Sequence, residues 1–308
     1  MQHGLTVADL PAGALRRHLR GPGLRLRIGP IVAEIRSPFN AVESAIALHY
    51  CAHAVVTPAE FADFHLSVEP PFGIRRWIKP QGLFRFDGNV TFLPLPATQS
   101  FALLEWALNW CVSSHCHQYL VVHSAVLERG GRALVLPAPP GSGKSTLCAA
   151  LVARGWRLLS DELALIDLDG ARLIPLPRPI SLKNESIAAI ARFWHDAPMS
   201  PVVHDTLKGS VAHVQPPAGS VRLGDQPAAP GFIVTPLYRK GAAAELQPLS
   251  RCEAFMRLVD SAFNYSIHGR AGFDALANLV AASRCFEFIY GGDLDGATRA
   301  FDELGRLP

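Results

Sequence analysis

An α/β fold is what this sequence predicts, and three observations carry the prediction. Two apolar, β-branched runs, Tyr119 to Leu127 and Arg132 to Leu136, are joined by Arg129-Gly130-Gly131, a hairpin signal. The second run leads straight into Ala138-Pro139-Pro140-Gly141-Ser142-Gly143-Lys144-Ser145-Thr146 and a helical stretch ending near Arg154. After a stop at Gly155, a short strand from Arg157 to Ser160 ends in Asp161-Glu162. Strands 119–127, 132–136, 157–160 and 285–290 are expected to share a central sheet.

The other elements follow from the same signals. Leu24 to Ile28 and Ile31 to Ile35 read as strands turned at Gly29-Pro30, followed by a helix from Phe39 to His53. Strand-like pieces come at Phe64 to Val68, Arg75 to Ile78, Leu83 to Phe86 and Val90 to Leu93. The helix expected from Thr98 to Ser114 carries an apolar stripe of Phe101, Leu104, Leu108 and Cys111, which Trp106 and Trp110 widen. Residues 1–115 thus form a smaller N-terminal α+β unit, and residues 116–308 a second domain. Leu163 to Leu168 runs to a turn at Asp169-Gly170. From Asp196 to Pro230 glycine and proline are frequent and periodicity is weak, which predicts a long functional loop. Helices around Arg251 to Phe263 and Phe273 to Ala282, a strand from Cys285 to Tyr290 and a helix from Leu294 to Leu304 close the chain.

Composition narrows the function classes. With 49% apolar and 18% charged residues the balance is globular, and 308 residues suffice for a substantial core. A net charge of +3 is too small to argue for a nucleic-acid or membrane partner. No run of about 18 apolar residues is present, and the start lacks the basic-then-apolar order of a secretory signal. The six scattered cysteines read as buried thiols in a reducing compartment, so a cytoplasmic setting is expected.

Gly143-Lys144-Ser145 fits the end of the P-loop pattern G-x-x-x-x-G-K-[ST], in the required context of a preceding strand and a following helix. Small residues let successive backbone N–H groups converge on phosphates at the positive end of a helix dipole. Residues 138–146 are therefore expected to bind a nucleotide. Lys144 would reach the β- and γ-phosphates from an accessible position, and Ser145 would ligate Mg²⁺. Ala138 stands where the pattern has its first glycine, so the first turn must avoid positive φ. The next strand's end can return beside the γ-phosphate, where Asp161 or Glu162 can bind Mg²⁺ or accept a proton.

His123-Ser124-Ala125, the hairpin, Gly141 to Leu147 and Gly155-Trp156-Arg157-Leu158-Leu159-Ser160-Asp161-Glu162 together resemble the C-terminal domain of HPr kinase/phosphorylase. The likeness is closest to the related group usually called HprK-related kinase A. Pro177 to Asn184 and Ser261 to Tyr265 resemble its further signatures. The resemblance implies a P-loop kinase domain of that type and phosphoryl transfer from ATP, with Mg²⁺, to a serine hydroxyl of a peptide or small protein. By position it implies Glu162 as general base, Asp161 as the neighbouring metal-side acid and His123 as the histidine near the phosphates. Lys144 and Ser145 carry over directly. The base position holds Glu where the family has Asp, and Arg178 and Lys183 are the basic candidates for a substrate or phosphate contact. Without the resemblance, a histidine such as His123 in an apolar strand is more often a satisfied core residue. The related group is associated with small PqqD-like peptide-binding proteins, which points to a peptide-processing pathway. A homo-oligomer stays open. The alternatives are a non-catalytic nucleotide-binding regulatory module and a P-loop kinase for a small metabolite.

Overall fold

Side-chain alternation decides which faces of the strands are buried, and the computed structural model, which describes residues 4–139, 141–169 and 172–304, shows both faces in use. After a short helix α1 (Ala14–Arg20), strands β1 (Leu24–Ile28) and β2 (Ile31–Arg36) form the expected hairpin. Gly29 turns it at φ +55°, and a Cβ there would lie 2.1 Å from the Pro175 carbonyl oxygen, so this turn needs glycine to pack on the rest of the chain. Helix α2 (Asn40–His49) then crosses over to β3 (Phe64–Glu69), which runs parallel to β2. β4 (Gln81–Phe86) pairs with β3 and carries the short strands β5 (Asn89–Val90) and β6 (Leu95–Pro96). Helix α3 (Ser100–His115) packs on this six-stranded sheet, with Leu104, Leu108 and Cys111 fully buried.

The second part is built on an eight-stranded mixed sheet. β7 (Tyr119–Arg129) and β8 (Arg132–Pro137) form its hairpin, and α4 (Lys144–Ala153) follows. β9 (Arg157–Ser160) and β10 (Leu163–Asp167) both pair antiparallel with β7, and β11 (Leu173–Ile174) flanks β10. A separate three-stranded sheet contains β12 (Ile180–Lys183), β13 (Val203–Thr206) and β14 (Gly209–Val214), with α5 (Glu185–Phe193) leaving β12 and α6 (Ala218–Arg222) leaving β14. β15 (Ala229–Tyr238) returns to the large sheet parallel to β8, β16 (Glu245–Pro248) lies at its edge, and helices α7 (Arg251–Asp260), α8 (Tyr265–His268) and α9 (Arg270–Ala281) precede β17 (Arg284–Tyr290). β17 is parallel to β15, and α10 (Leu294–Leu304) ends the described chain. Strands 119–127, 132–136, 157–160 and 285–290 do share one sheet.

Period-2 alternation gives that sheet two apolar faces. Ala125, Leu127, Leu134 and Leu136 join a core with α4 and α10, whereas Val122, Val126, Ala133 and Val135 join one with α7 and α9. A layered α/β architecture results. A third core lies between the first sheet, α2 and α3, and it also takes in Val121, Leu163, Leu165 and Leu176 from the second part.

Four expectations need correction. Of the cysteines, Cys252 is exposed on α7 and Cys51 is half-buried, while the other four are buried as expected. Arg75 to Ile78 is no strand: Ile74–Arg76 is a single 3-10 turn with every side chain exposed. The strand expected from Val90 to Leu93 shrinks to Asn89–Val90. Residues 196–230 are not one irregular loop, because β13, β14 and α6 lie within them and β14 pairs with β12. The turn expected at Asp169-Gly170 falls partly outside the described residues, as does Pro140. Among the described residues no helix is long and apolar enough to cross a membrane.

Candidate functional site

The loop between β8 and α4 is shaped by two left-handed glycines, Gly141 at φ +86° and Gly143 at φ +85°. Ala138 is buried and does not take positive φ, so the absent first glycine causes no strain. Gly143 is also where two backbones and a side chain converge: its carbonyl accepts from Tyr290 Oη at 2.8 Å and from Leu147 N at 3.0 Å. Ser142 Oγ is buried without a hydrogen-bond partner, and Ser145 and Thr146 are half-buried on the first turn of α4.

Lys144 departs from expectation. It is 7% exposed rather than accessible, and its Nζ has no hydrogen-bond partner among the described residues. Burial lowers its pKa to about 8, although Asp161 and Glu162 both oppose that shift. The first helical residue after the loop is thus aimed inward, at the acidic pair.

Asp161 and Glu162 occupy the break between β9 and β10, which lets adjacent side chains serve one site despite the alternation of a strand. Ser124 N donates to the Glu162 carbonyl oxygen at 3.1 Å and fixes the break on β7. Asp161 is 3% exposed. Its Oδ2 accepts from Ser181 N at 3.0 Å, and its Oδ1 has no partner. Burial, reinforced by the Glu162 charge, pushes its carboxyl up to about 6. Burial would raise Glu162 as well, but Lys183, Lys208, Lys144 and Arg178 outweigh it and hold that carboxyl below its ordinary value. One acid is therefore kept ionised while its neighbour is poised nearer neutrality.

Helix α3 lies against the pair. Asn109 Nδ2 donates to Glu162 Oε2, and Asn109 Oδ1 accepts from Arg178 Nη1 at 2.6 Å. Arg178 Nη2 donates to Glu105 Oε2 at 2.7 Å and to the Glu105 carbonyl at 2.8 Å, and Tyr50 Oη donates to Glu105 Oε1 at 2.6 Å. Arg178 is thus 7% exposed and committed to α3. Lys183, at the end of β12, reaches Glu162 Oε1 at 3.5 Å. His123 pairs with Leu163 in the β7–β10 ladder and is half-buried. Burial, then Lys144, lowers its pKa to about 4, so the imidazole is neutral at physiological pH.

Among the described residues, then, Lys144, Asp161, Glu162, His123, Lys183 and Arg178 come together beside the middle of β7, where β9 gives way to β10, next to the loop that precedes α4. Sequence reasoning missed Asn109, Lys208 and His213. Lys208 sits on the β13–β14 tip with its Nζ 5.0 Å from the Trp106 ring centroid, and burial lowers its pKa. His213 is 3% exposed and lines the same cleft as Trp106, Asp161, Glu162 and Arg178. For Asn109 a signal existed: Glu105 and Asn109, four apart, form a polar strip on an otherwise apolar helix. Lys208 sat in the segment read as a loop.

No family model matches the chain, and no curated protein is significantly similar to it.

Proposed function

We propose that this chain is an ATP-dependent phosphotransferase of the HPr-kinase-like P-loop type, which moves the γ-phosphoryl group to a serine hydroxyl of a peptide or small protein. The observation that carries this reading is Lys144: a buried ammonium without a hydrogen-bond partner, at the start of α4 and facing two carboxylates. A buried cation left so is destabilising unless an anion completes it. A nucleotide phosphate cradled by the 138–146 loop is the anion that this position suits.

The residues also fit magnesium. Asp161 Oδ1 lacks a partner, and Mg²⁺ is held by one or two protein oxygens together with phosphates, so Asp161 and Ser145 are the residues that would hold it. The ion would supply charge neutralisation on the phosphates. Glu162, held ionised by its cations, takes the proton of the attacking hydroxyl, and Asn109 and Lys183 fix its two oxygens. His123 contributes a neutral polar group beside Lys144. Lys183 and Lys208 offset negative charge at the mouth of the cleft.

The test is calorimetric titration with Mg-ATP, followed by phosphate-release and phosphopeptide assays over a panel of serine peptides. Binding and transfer are expected, with both sharply weakened in Lys144→Ala while the variant keeps the wild-type circular-dichroism spectrum. Tight ATP binding without transfer to any acceptor would assign a regulatory nucleotide-binding module instead. Absence of nucleotide binding would overturn the reading.

A further inference from the structure

The segment between β3 and β4 has a character that nucleotide chemistry does not explain. Residues 72–80 are all exposed, and four large apolar side chains stand among them: Phe72 at 92%, Trp77 at 77%, Ile74 at 66% and Ile78 at 58%. Arg75, Arg76 and Lys79 alternate with these side chains, and no acidic residue occurs between Glu69 and Asp87. An exposed apolar residue is ordinary when single, whereas such a cluster marks a surface that meets something.

Three backbone hydrogen bonds hold the middle of the segment in a single turn. Arg76 N donates to the Gly73 carbonyl at 3.2 Å, Trp77 N to Ile74 at 3.0 Å and Ile78 N to Ile74 at 2.9 Å. Gly73, at φ +86°, opens the turn. Ile74, Trp77 and Ile78 therefore follow the i, i+3, i+4 spacing of one helical face, with Arg75 and Lys79 on another. Beside the turn lies a cleft of about 280 Å³ whose lining includes Arg20, Arg36, Arg76, Arg85, Phe72 and Glu69. Arg85 is shared with Glu69 at 3.8 Å, and Arg36 with Glu34 at 2.7 Å, so the cleft stays rich in guanidinium groups.

We propose that the 72–80 turn and this arginine cleft attach the protein peripherally to an anionic lipid surface. The apolar face enters the interface and the cleft takes a phosphate headgroup. Three properties favour lipid over an acidic protein partner. The apolar side chains project from a convex turn, which a bilayer accepts without a matching groove. Tryptophan flanked by arginine and lysine is the side-chain mixture that sits at a membrane–water boundary. Arg75, Arg76 and Lys79 form no ion pair among the described residues, and such cations are drawn to the negative surface potential of anionic leaflets. Such attachment differs in kind from spanning, for which the chain has no helix among its described residues.

Co-sedimentation of the full chain with vesicles of phosphatidylcholine alone and of phosphatidylcholine with phosphatidylserine tests this. Binding is expected to the mixed vesicles only, to fall with added salt, and to blue-shift tryptophan emission in a way that Trp77→Ser abolishes. The Phe72→Ser/Trp77→Ser and Arg75→Gln/Arg76→Gln/Lys79→Gln variants should each bind roughly tenfold or more weakly, with melting temperature and Mg-ATP affinity unchanged. Wild-type protein that leaves both vesicle types in the supernatant would overturn the proposal. So would variants that bind like the wild type. Capture of soluble polyglutamate without vesicle binding would overturn it too, and assign the face to an acidic protein.

Discussion

Replacing Asp161 by Asn should stabilise the nucleotide-free protein while raising the magnesium that transfer requires. Asp161 is 3% exposed, and burial, then the Glu162 charge, lifts its carboxyl to about 6 against an ordinary 3.8, even with Lys144 nearby. Between these values the folded protein holds the proton more tightly than the unfolded chain. Stability therefore carries no cost from this group below about pH 4 and falls as the pH rises to about 6 and beyond. At about pH 7.5 the cost is roughly 3 kcal/mol, and at about pH 5 roughly half of that. The amide keeps an oxygen for Ser181 N, so the hydrogen bond at 3.0 Å survives. Lys144 loses one of its two compensating carboxylates, however, which offsets part of the gain. A net stabilisation of about 1–2 kcal/mol, or about 2–6 °C in melting temperature, is the expected outcome near pH 7.5, shrinking toward pH 5. Thermal denaturation of both proteins at the two pH values measures it. A variant less stable than the wild type near pH 7.5, or an offset of the same size at both, would refute the reasoning.

With Glu162 as the proton acceptor proposed above, Glu162→Gln should lower phosphoryl transfer by about 10²–10⁴-fold while Mg-ATP still binds; single-turnover rates beside calorimetry decide it. Lys208→Met should move the acidic limb of the rate profile to higher pH, since Lys208 is among the cations that hold Glu162 ionised; an unmoved limb would remove Lys208 from the site. Gly143→Ala forces a side chain into left-handed backbone, and its Cβ would lie 2.0 Å from Tyr290 Oη. Strain of roughly 1–2 kcal/mol plus the displaced tyrosine should lower both the melting temperature and the nucleotide affinity. Tyr290→Phe, which removes only the hydrogen bond to Gly143, should cost about 1 kcal/mol and leave binding intact.

What the sequence made legible is what local chemistry dictates. The β7–β8 hairpin announces itself through Gly130-Gly131, both at positive φ, and the loop before α4 through two glycines that must be glycine. Asp161-Glu162 could be placed because a short strand ending in charge has few other uses. β15 was invisible for a physical reason: Pro230 and Pro236 interrupt its apolar run, and a register shift between Pro230 and Phe232 accommodates the first of them. β13 and β14 escaped because they lie in a stretch rich in glycine and proline with weak alternation, and the pairing of β14 with β12 on one side and β13 on the other is a tertiary fact. Lys144 was expected in the open because loop lysines usually are; it is buried where α4 packs against the strands of the assembled sheet, a tertiary fact.

The N-terminal part gains a purpose from the same geometry. A buried ion pair such as Glu105–Arg178 seldom stabilises a fold more than apolar packing would, so its presence is better understood through what it orients. Tyr50 on the first part holds Glu105, Glu105 holds Arg178, and Arg178 fixes the Asn109 amide so that its nitrogen faces Glu162. On the opposite side, Asn184 and Asp205, at φ +52° and +57°, are non-glycine residues in left-handed backbone, next to Lys183 and on the hairpin of Lys208. Asn184 also ties the two elements together, accepting from Ser210 N at 3.1 Å and donating to the Lys208 carbonyl at 3.4 Å. Strain of this kind persists only where surrounding structure enforces it, and it gathers where side chains must be aimed. Glu162 is therefore fixed from two directions, by a hydrogen-bonded relay from α3 and by Lys183, which precedes the strained Asn184. That double restraint is what a proton acceptor requires, since about 1 Å of misplacement can cost 10²-fold in rate.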